Sequence, residues 1–235
     1  MPVRTLKKSY RSQLSLLMSR KAVNPSVFCE STLERDFHKL LEFMPWVISF
    51  EEQPMKIPYV DANGRPGKYT PDTLTHLQFD DDFEKWIFEV KYRKDLRENW
   101  SEYRHKFRGA VHHCKAQGYD RFKIVTEVEI RSGYKLKNVK LFLKNRNSSI
   151  NPDLLECITR VVGGNGTILT RSLLELATDK MRVDQNEVCR GLYHLIANHR
   201  VGLDLDAEFT YQSDLWLLPE PASQSGSLIN LRGPI

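Results

Sequence analysis

Residues 68–92 read KYTPDTLTHLQFDDDFEKWIFEVKY, and this stretch decides the fold. Over residues 83–92 the side chains alternate. Trp86, Phe88 and Val90 fall on one face, Ile87, Glu89 and Lys91 on the other. A period of two belongs to a strand, because successive side chains point to opposite sides of the pleat. Residues 68–79 predict a second strand, and the run Asp80, Asp81, Asp82 predicts the tight turn between them. Asp72 then sits near the middle of the first strand. The interval to Glu89 suffices for two antiparallel strands and one turn, so Asp72, Glu89 and Lys91 converge on a shared sheet face.

Upstream, Leu33, Phe37, Leu40, Leu41 and Met44 recur at i, i+4, i+7, i+8 and i+11, which predicts one buried helical stripe over residues 31–44. Residues 46–50 and, after Pro54, residues 55–60 read as strands, followed by a turn at Asn63, Gly64, Pro66 and Gly67. Downstream, Leu96, Trp100, Tyr103, Phe107, Ala110, Val111 and Cys114 predict a long helix over residues 95–117, and residues 122–126 a short buried strand. Strands and helices in this order predict an α/β fold, a mixed sheet flanked by helices. Trp86 and Phe88 are its expected core.

Residues 144–152 are polar and turn-rich, and the charge changes sign there. Residues 1–150 hold 28 Lys and Arg against 19 Asp and Glu, a balance of +9, whereas residues 151–235 hold 7 against 11, or −4. Asn151 and Pro152 read as N-cap and first residue of a helix that Gly163 and Gly164 stop. Thr170, and Asp184 with Glu187, read as the caps of two more helices, and residues 201–205 and 209–218 as two short strands. Three helices and a terminal hairpin predict a small winged-helix-like domain. The organisation expected is a basic N-terminal arm at 1–24, the α/β domain at 25–147, the winged-helix-like domain at 148–218 and a flexible tail at 219–235 rich in Pro, Ser and Gly.

With 235 residues, 40% of them hydrophobic and 28% charged, the chain is neither disordered nor membrane-spanning in composition. Arg4, Lys7, Lys8, Arg11, Arg20 and Lys21 precede the first acid, Glu30, without the apolar run of a signal peptide. Cys29, Cys114, Cys157 and Cys189 lie far apart with no CxxC pair, which argues against disulfides and zinc and for reduced thiols in a cytoplasm. The basic N-terminal part points to a polyanion, because Lys and Arg contacts to phosphate supply most non-specific nucleic-acid affinity. A solvated basic surface explains the same charge.

The chemistry rests on a proline-aspartate pair followed by Glu89-Val90-Lys91. Carboxylates brought together repel one another unless a cation stabilises them. Phosphodiester hydrolysis asks for the same parts: a metal-activated water, neutralisation of phosphate charge and a group that orients the nucleophile. Asp72 and Glu89 would hold one or two Mg²⁺, Lys91 would orient the attacking water, and the Val90 carbonyl would complete the metal shell. Oxygen ligands favour Mg²⁺ or Mn²⁺ over zinc. Taken alone the pattern is weak, since acids and bases on a hairpin are ordinary surface decoration. Glu34 has two readings of equal weight, for Ser31-Thr32-Leu33-Glu34 is a capping box, yet Glu34 also lies at the edge of the buried helical face, where it reaches the same site. His112, His113 and Cys114 fall on a helix, where adjacent positions diverge, so a metal site there is not expected. Arg104, His105, Lys106 and Arg108 flank DNA or form a solvated helix face.

Several linked motifs in order are more specific. Glu30-Ser31-Thr32-Leu33-Glu34-Arg35-Asp36-Phe37, Leu41-Glu42-Phe43, Glu52-Gln53-Pro54, Tyr69-Thr70-Pro71-Asp72 and Glu89-Val90-Lys91 together resemble the N-terminal domain of TnsA transposon endonucleases, over residues 25–130. The resemblance implies a restriction-endonuclease-like nuclease of the PD-(D/E)xK type that cuts the 5′ ends of a transposon in double-stranded DNA. It implies a bacterial cytoplasmic enzyme that uses Mg²⁺, with Mn²⁺ as substitute, and catalytic residues at Glu34, Asp72 and Lys91. It also moves Glu34 above its capping role. At Glu89 some members of the family carry Gln. The partners implied are a TnsB-like DDE transposase, which cuts and joins the 3′ ends, and a TnsC-like AAA+ regulator, bound by the second domain. A free-standing restriction or repair nuclease, and a non-catalytic subunit that bridges DNA and the transposition machinery, are the competing readings.

Overall fold

A computed structural model describes residues 15–219. By its contacts the chain divides into two compact units that meet between Ile130 and Arg131. The first contains β1 (Ser15–Met18), β2 (Ser26–Cys29), α1 (Thr32–Phe43), β3 (Val47–Glu52), β4 (Ile57–Val60), β5 (Pro66–Tyr69), β6 (Thr73–Phe79), β7 (Asp82–Val90), α2 (Arg93–Gln117) and β8 (Arg121–Val125), and the boundary falls before the last residue of α3 (Glu127–Arg131).

Its main sheet has the order β3-β6-β7-β8, antiparallel except for the parallel pair β7–β8. This is the expected mixed sheet, and with helices packed on it the unit fits a restriction-endonuclease-like architecture. Phe37 of α1 packs against Phe88 at 5.1 Å between rings, and His38 stacks on Phe50 at 5.1 Å. Ile87 turns the other way, into a cluster with Ile57, Tyr69, Phe107, Ala110, Cys114 and Phe122 under α2. β7 is thus buried on both faces. Each such apolar side chain contributes roughly 1.5–3 kcal/mol, which makes β7 the strand around which the unit closes.

The single strand expected over residues 68–79 is two. Pro71 has no N–H to give a ladder, and the chain breaks there: β5 pairs with β4, Ile57 opposite Tyr69, and β6 begins only at Thr73. Asp72 therefore stands just ahead of a strand, not in the middle of one. Residues 15–24, read as part of a basic arm, are folded. β1 pairs with β2, Ala22 bridges Phe50, and the buried Glu42 carboxylate accepts from the Ser19 hydroxyl and from the Arg20 and Lys21 N–H groups. Arg4, Lys7, Lys8 and Arg11 and all but the first residue of the expected tail lie outside the described residues.

The second unit contains α4 (Lys135–Leu143), α5 (Pro152–Asn165), β9 (Thr167–Leu169), α6 (Thr170–Met181), α7 (Gln185–Ala197), β10 (Val201–Gly202) and β11 (Asp214–Leu217). Its three strands form one antiparallel sheet in the order β10-β11-β9. Asn151 and Asp184 cap α5 and α7 as expected. Thr170 is not a cap: its hydroxyl donates to the Ser213 carbonyl at 2.9 Å, tying α6 to the loop before β11. Gly163 and Gly164 do not stop α5, which runs to Asn165 and ends at Gly166 with φ +68°. Gly163 has another reason to lack a side chain, since a Cβ there would meet the Leu217 side chain at 2.8 Å.

α4 lies upstream of the boundary expected at residues 147–148, yet it packs into the second unit. Phe142 meets Tyr193 at 5.6 Å and Phe209 at 5.2 Å, and the buried Asn138 amide donates to the Leu205 and Ala207 carbonyls at 2.9 and 2.8 Å. Arg146 donates to the Ala197 carbonyl at 2.9 Å. The six basic residues from Arg131 to Arg146 thus belong to this unit. Residues 131–219 hold 12 Lys and Arg against 10 Asp and Glu, or +2, so the negative balance read beyond residue 150 is not a property of the folded unit. No helix among the described residues is long and apolar enough to cross a membrane.

His38 is fully buried between the Cys29 thiol at 3.3 Å and the Thr73 hydroxyl at 2.8 Å, and burial lowers its pKa from 6.5 to about 4. As the pH falls below 6.5 the unfolded chain takes up a proton that the folded chain refuses, so stability is lost down to about pH 4. The loss is on the order of 3 kcal/mol. In urea titrations across this range, His38→Gln should flatten the fall in stability whatever it does to stability at neutral pH. An unchanged slope would assign the acid sensitivity to another group.

Candidate active site

The end of β7 and the start of β6 build the site. Their register sets Thr73 opposite Phe88, so Asp72, one residue before β6, faces Glu89. Asp72 Oδ2 accepts the Val90 N–H at 2.7 Å, which fixes the carboxylate although the residue itself lies outside the ladder. One residue on, the Lys91 N–H donates to the Val125 carbonyl of β8 at 3.1 Å. The Lys91 side chain turns back over the strand end. Its Nζ lies 2.9 Å from Glu89 Oε1, 3.3 Å from Asp72 Oδ2 and 3.2 Å from the Val90 carbonyl oxygen.

Glu34 comes from the first turn of α1. Its N–H donates to the Ser31 hydroxyl at 3.0 Å, and its Oε2 accepts the Glu30 N–H at 3.0 Å, so the capping reading is realised. The carboxylate nonetheless feels the site: burial, then the charge of Asp72, raises its pKa above the usual range, while Glu30, Ser31 and Lys91 pull it back. The two readings weighed for Glu34 are compatible.

Glu89 is 5% exposed, and its Oε2 has no hydrogen-bond partner. Burial, then Asp72, pushes its pKa up, and Lys91 opposes the shift. Burial works against the Lys91 charge too, but Asp72 and Glu89 more than offset it and hold the ammonium protonated well above its ordinary range. The arrangement concentrates negative charge in a desolvated place and relieves it with one internal cation. Among the described residues no three carboxylate, imidazole or thiol groups form a ready-made metal cage. The Lys91 ammonium instead contacts three of the oxygens that a cation would use.

Two residues beside the site were not singled out as site residues in the sequence. Tyr69 is buried with its hydroxyl unbonded, and burial, then Glu89 and Asp72, raises its pKa. Gln53 donates its N–H to the Asp72 carbonyl at 3.0 Å and its side-chain amide to Glu30 Oε1 at 3.0 Å. Both stand in the quoted motifs, but nothing in their spacing marks them as polar groups placed against carboxylates. Cys114 is buried in the core, and all four cysteines are free. His105, Arg108, His112 and His113 line a groove of about 710 Å³ between β4 and α2, while Lys106 is paired with Glu102.

Residues 44–127 match the TnsA-like endonuclease N-terminal family. Over these residues the chain is similar to that family. The family implies a nuclease related to transposition. The match includes Asp72, Glu89 and Lys91 and leaves out Glu34 and the whole second unit. No curated protein matches the chain.

Removing the Lys91 cation strands the buried Glu89 carboxylate and the half-buried Asp72 carboxylate, the kind of loss that costs about 3–5 kcal/mol. Lys91→Met should therefore destabilise the metal-free protein by about that much at pH 8, measured by urea unfolding. Because Glu34 and Glu89 have raised pKa values, the folded state takes up protons first as the pH falls, and the loss should shrink toward pH 5. A loss equal at both pH values would mean that Lys91 acts by packing and not by charge.

Proposed function

We propose that this chain is a Mg²⁺-dependent DNA endonuclease that cuts the 5′ ends of a transposon as one subunit of a heteromeric cut-and-paste transposase. The observation that carries the reading is the Lys91 ammonium resting on Asp72, Glu89 and the Val90 carbonyl, with the second Glu89 oxygen unpaired in a buried place. Such a donor set suits a hard divalent cation, which takes carboxylate and carbonyl oxygens. Glu34, Asp72, Glu89 and the Val90 carbonyl would hold one or two ions, with Mn²⁺ as substitute. Bound there, Mg²⁺ supplies an acidified water and part of the charge neutralisation at the cleaved phosphate.

The chain's own groups do the rest. The Val90 N–H presents the Asp72 carboxylate in a fixed direction, so the site is organised before substrate arrives. Lys91, kept protonated by its neighbours, offsets phosphate charge and orients the attacking water. Glu34 closes the site from the helix side, its carboxylate aimed by the Glu30 N–H.

The order helix, strand, two helices and two strands in the second unit, α5 to β11, is read as winged-helix-like. We infer that this unit binds a TnsC-like AAA+ regulator, and that a TnsB-like DDE transposase recognises the DNA ends. The resemblance supports the two partners. The unit's charge of +2 favours neither a protein nor DNA.

The test is Mg²⁺-dependent nicking at labelled 5′ transposon ends with the cognate transposase and regulator present. Asp72→Ala should abolish the 5′ cut, a loss beyond the roughly 10- to 100-fold that an outer ligand contact costs, and leave 3′ cutting intact. Unchanged 5′ cutting would make Asp72 structural. Vigorous cutting by the isolated chain would favour a free-standing nuclease, and no cutting under any condition a bridging subunit.

A further inference from the structure

Gln53 has no part in the reaction outlined, yet its conformation is the least expected in the first unit. It follows β3 with φ +46° and precedes Pro54. A residue with a Cβ rarely adopts such an angle, and the proline ring restricts its predecessor further. Glycine would take this φ without strain. The turn alone has no need of a glutamine.

The side chain shows what the glutamine adds. It is 7% exposed, and its Oε1 has no hydrogen-bond partner. Its Nε2 donates to Glu30 Oε1 at 3.0 Å, and the Glu30 N–H donates to Glu34 Oε2 at 3.0 Å. On the other side its backbone N–H donates to the Asp72 carbonyl at 3.0 Å, one residue beyond the Glu52–Thr73 pair that ends the β3–β6 ladder. Three hydrogen bonds, joined through the covalent frames of Gln53 and Glu30, thus link Asp72 to Glu34. Asp72 and Glu34 are proposed ligands from two different elements, a strand start and a helix start. Their like charges repel, which raises the Glu34 pKa.

We propose that Gln53 is a positioning residue that sets the separation of Glu34 and Asp72, and through it the cation affinity of the site. The strained backbone is the cost of directing the side-chain amide to Glu30 while the backbone N–H holds the Asp72 carbonyl, in keeping with strain held at sites of function. This inference rests on the metal-site reading above.

The test uses Mn²⁺ as probe, titrated calorimetrically into the full chain, with thermal unfolding of the metal-free protein as the control for structure. Gln53→Gly removes both the strain and the amide, and Gln53→Met keeps the length without the donor. Both should weaken Mn²⁺ binding by roughly 10- to 100-fold, as loss of an outer ligand contact does, while the unfolding midpoint of Gln53→Gly stays level or rises. Glu30→Ala should cost a similar factor, and the Glu30→Ala, Gln53→Met double variant little more than either, because the two act through one tie. Wild-type affinity in both Gln53 variants, with binding lost in Asp72→Ala, would overturn the proposal and leave Gln53 a turn residue. Wild-type affinity in Asp72→Ala as well would overturn the metal-site reading, and the role of Gln53 with it.

Discussion

The first unit is organised around one unfavourable fact, a desolvated carboxylate at the end of its central strand. Glu89 is buried because β7 is covered on both faces, by α1 through Phe88 and by α2 through Ile87. A buried charge is tolerated only when paired. The Lys91 ammonium is the pairing group, and reaching it obliges Lys91 to turn back over the strand end while its backbone continues the parallel pairing with β8. The same ammonium meets Asp72, so the position of β6 relative to β7 is set by charge as well as by the hydrogen-bond ladder.

That constraint explains why the hairpin is interrupted at Pro71. The break lets β5 leave to pair with β4, and Asp72 accepts the Val90 N–H with its side chain. The β3–β6 register, Glu52 opposite Thr73, carries on to the Asp72 carbonyl, which accepts the Gln53 N–H. A strand-forming composition and a chain break coexist here because the polar requirement at one residue outweighs the pairing of three.

What was legible in the sequence follows the range of the interactions involved. The α1 stripe, the long α2 helix and the alternation in β7 are repeated patterns within one element, and the structure has each of them. The facing of Asp72 and Glu89 was legible too, since it needed only a hairpin. β1, β2 and β9 are strands of three or four residues, too short for a local period to announce them, and the partner of β9 lies far along the chain. α4 was missed for a different reason. Leu136, Val139 and Phe142 do recur at helical spacing, but the lysines between them drew attention to charge. Lysine stems pack along apolar surface while their heads reach solvent or an acid, as Lys135 does with Asp206. Net charge counted along a chain is therefore a poor guide to where a folded unit begins.

At the candidate site the divide is sharper. Residue types and their spacing pointed to Asp72, Glu89 and Lys91, and the structure brings the three together. Glu34 was ambiguous between cap and ligand, and the geometry removes the opposition: the Glu30 N–H that a capping carboxylate satisfies is also what aims that carboxylate. A helix N-terminus favours negative charge, whereas burial and Asp72 disfavour it. Glu34 is held between these opposing effects, with a raised pKa as the outcome. Gln53 was legible only as a letter in a motif, since a positive φ leaves no mark on composition or periodicity. The residues that carry charge in this site could be read from the sequence, and those that hold the charges apart could be found only once the backbone between them was known.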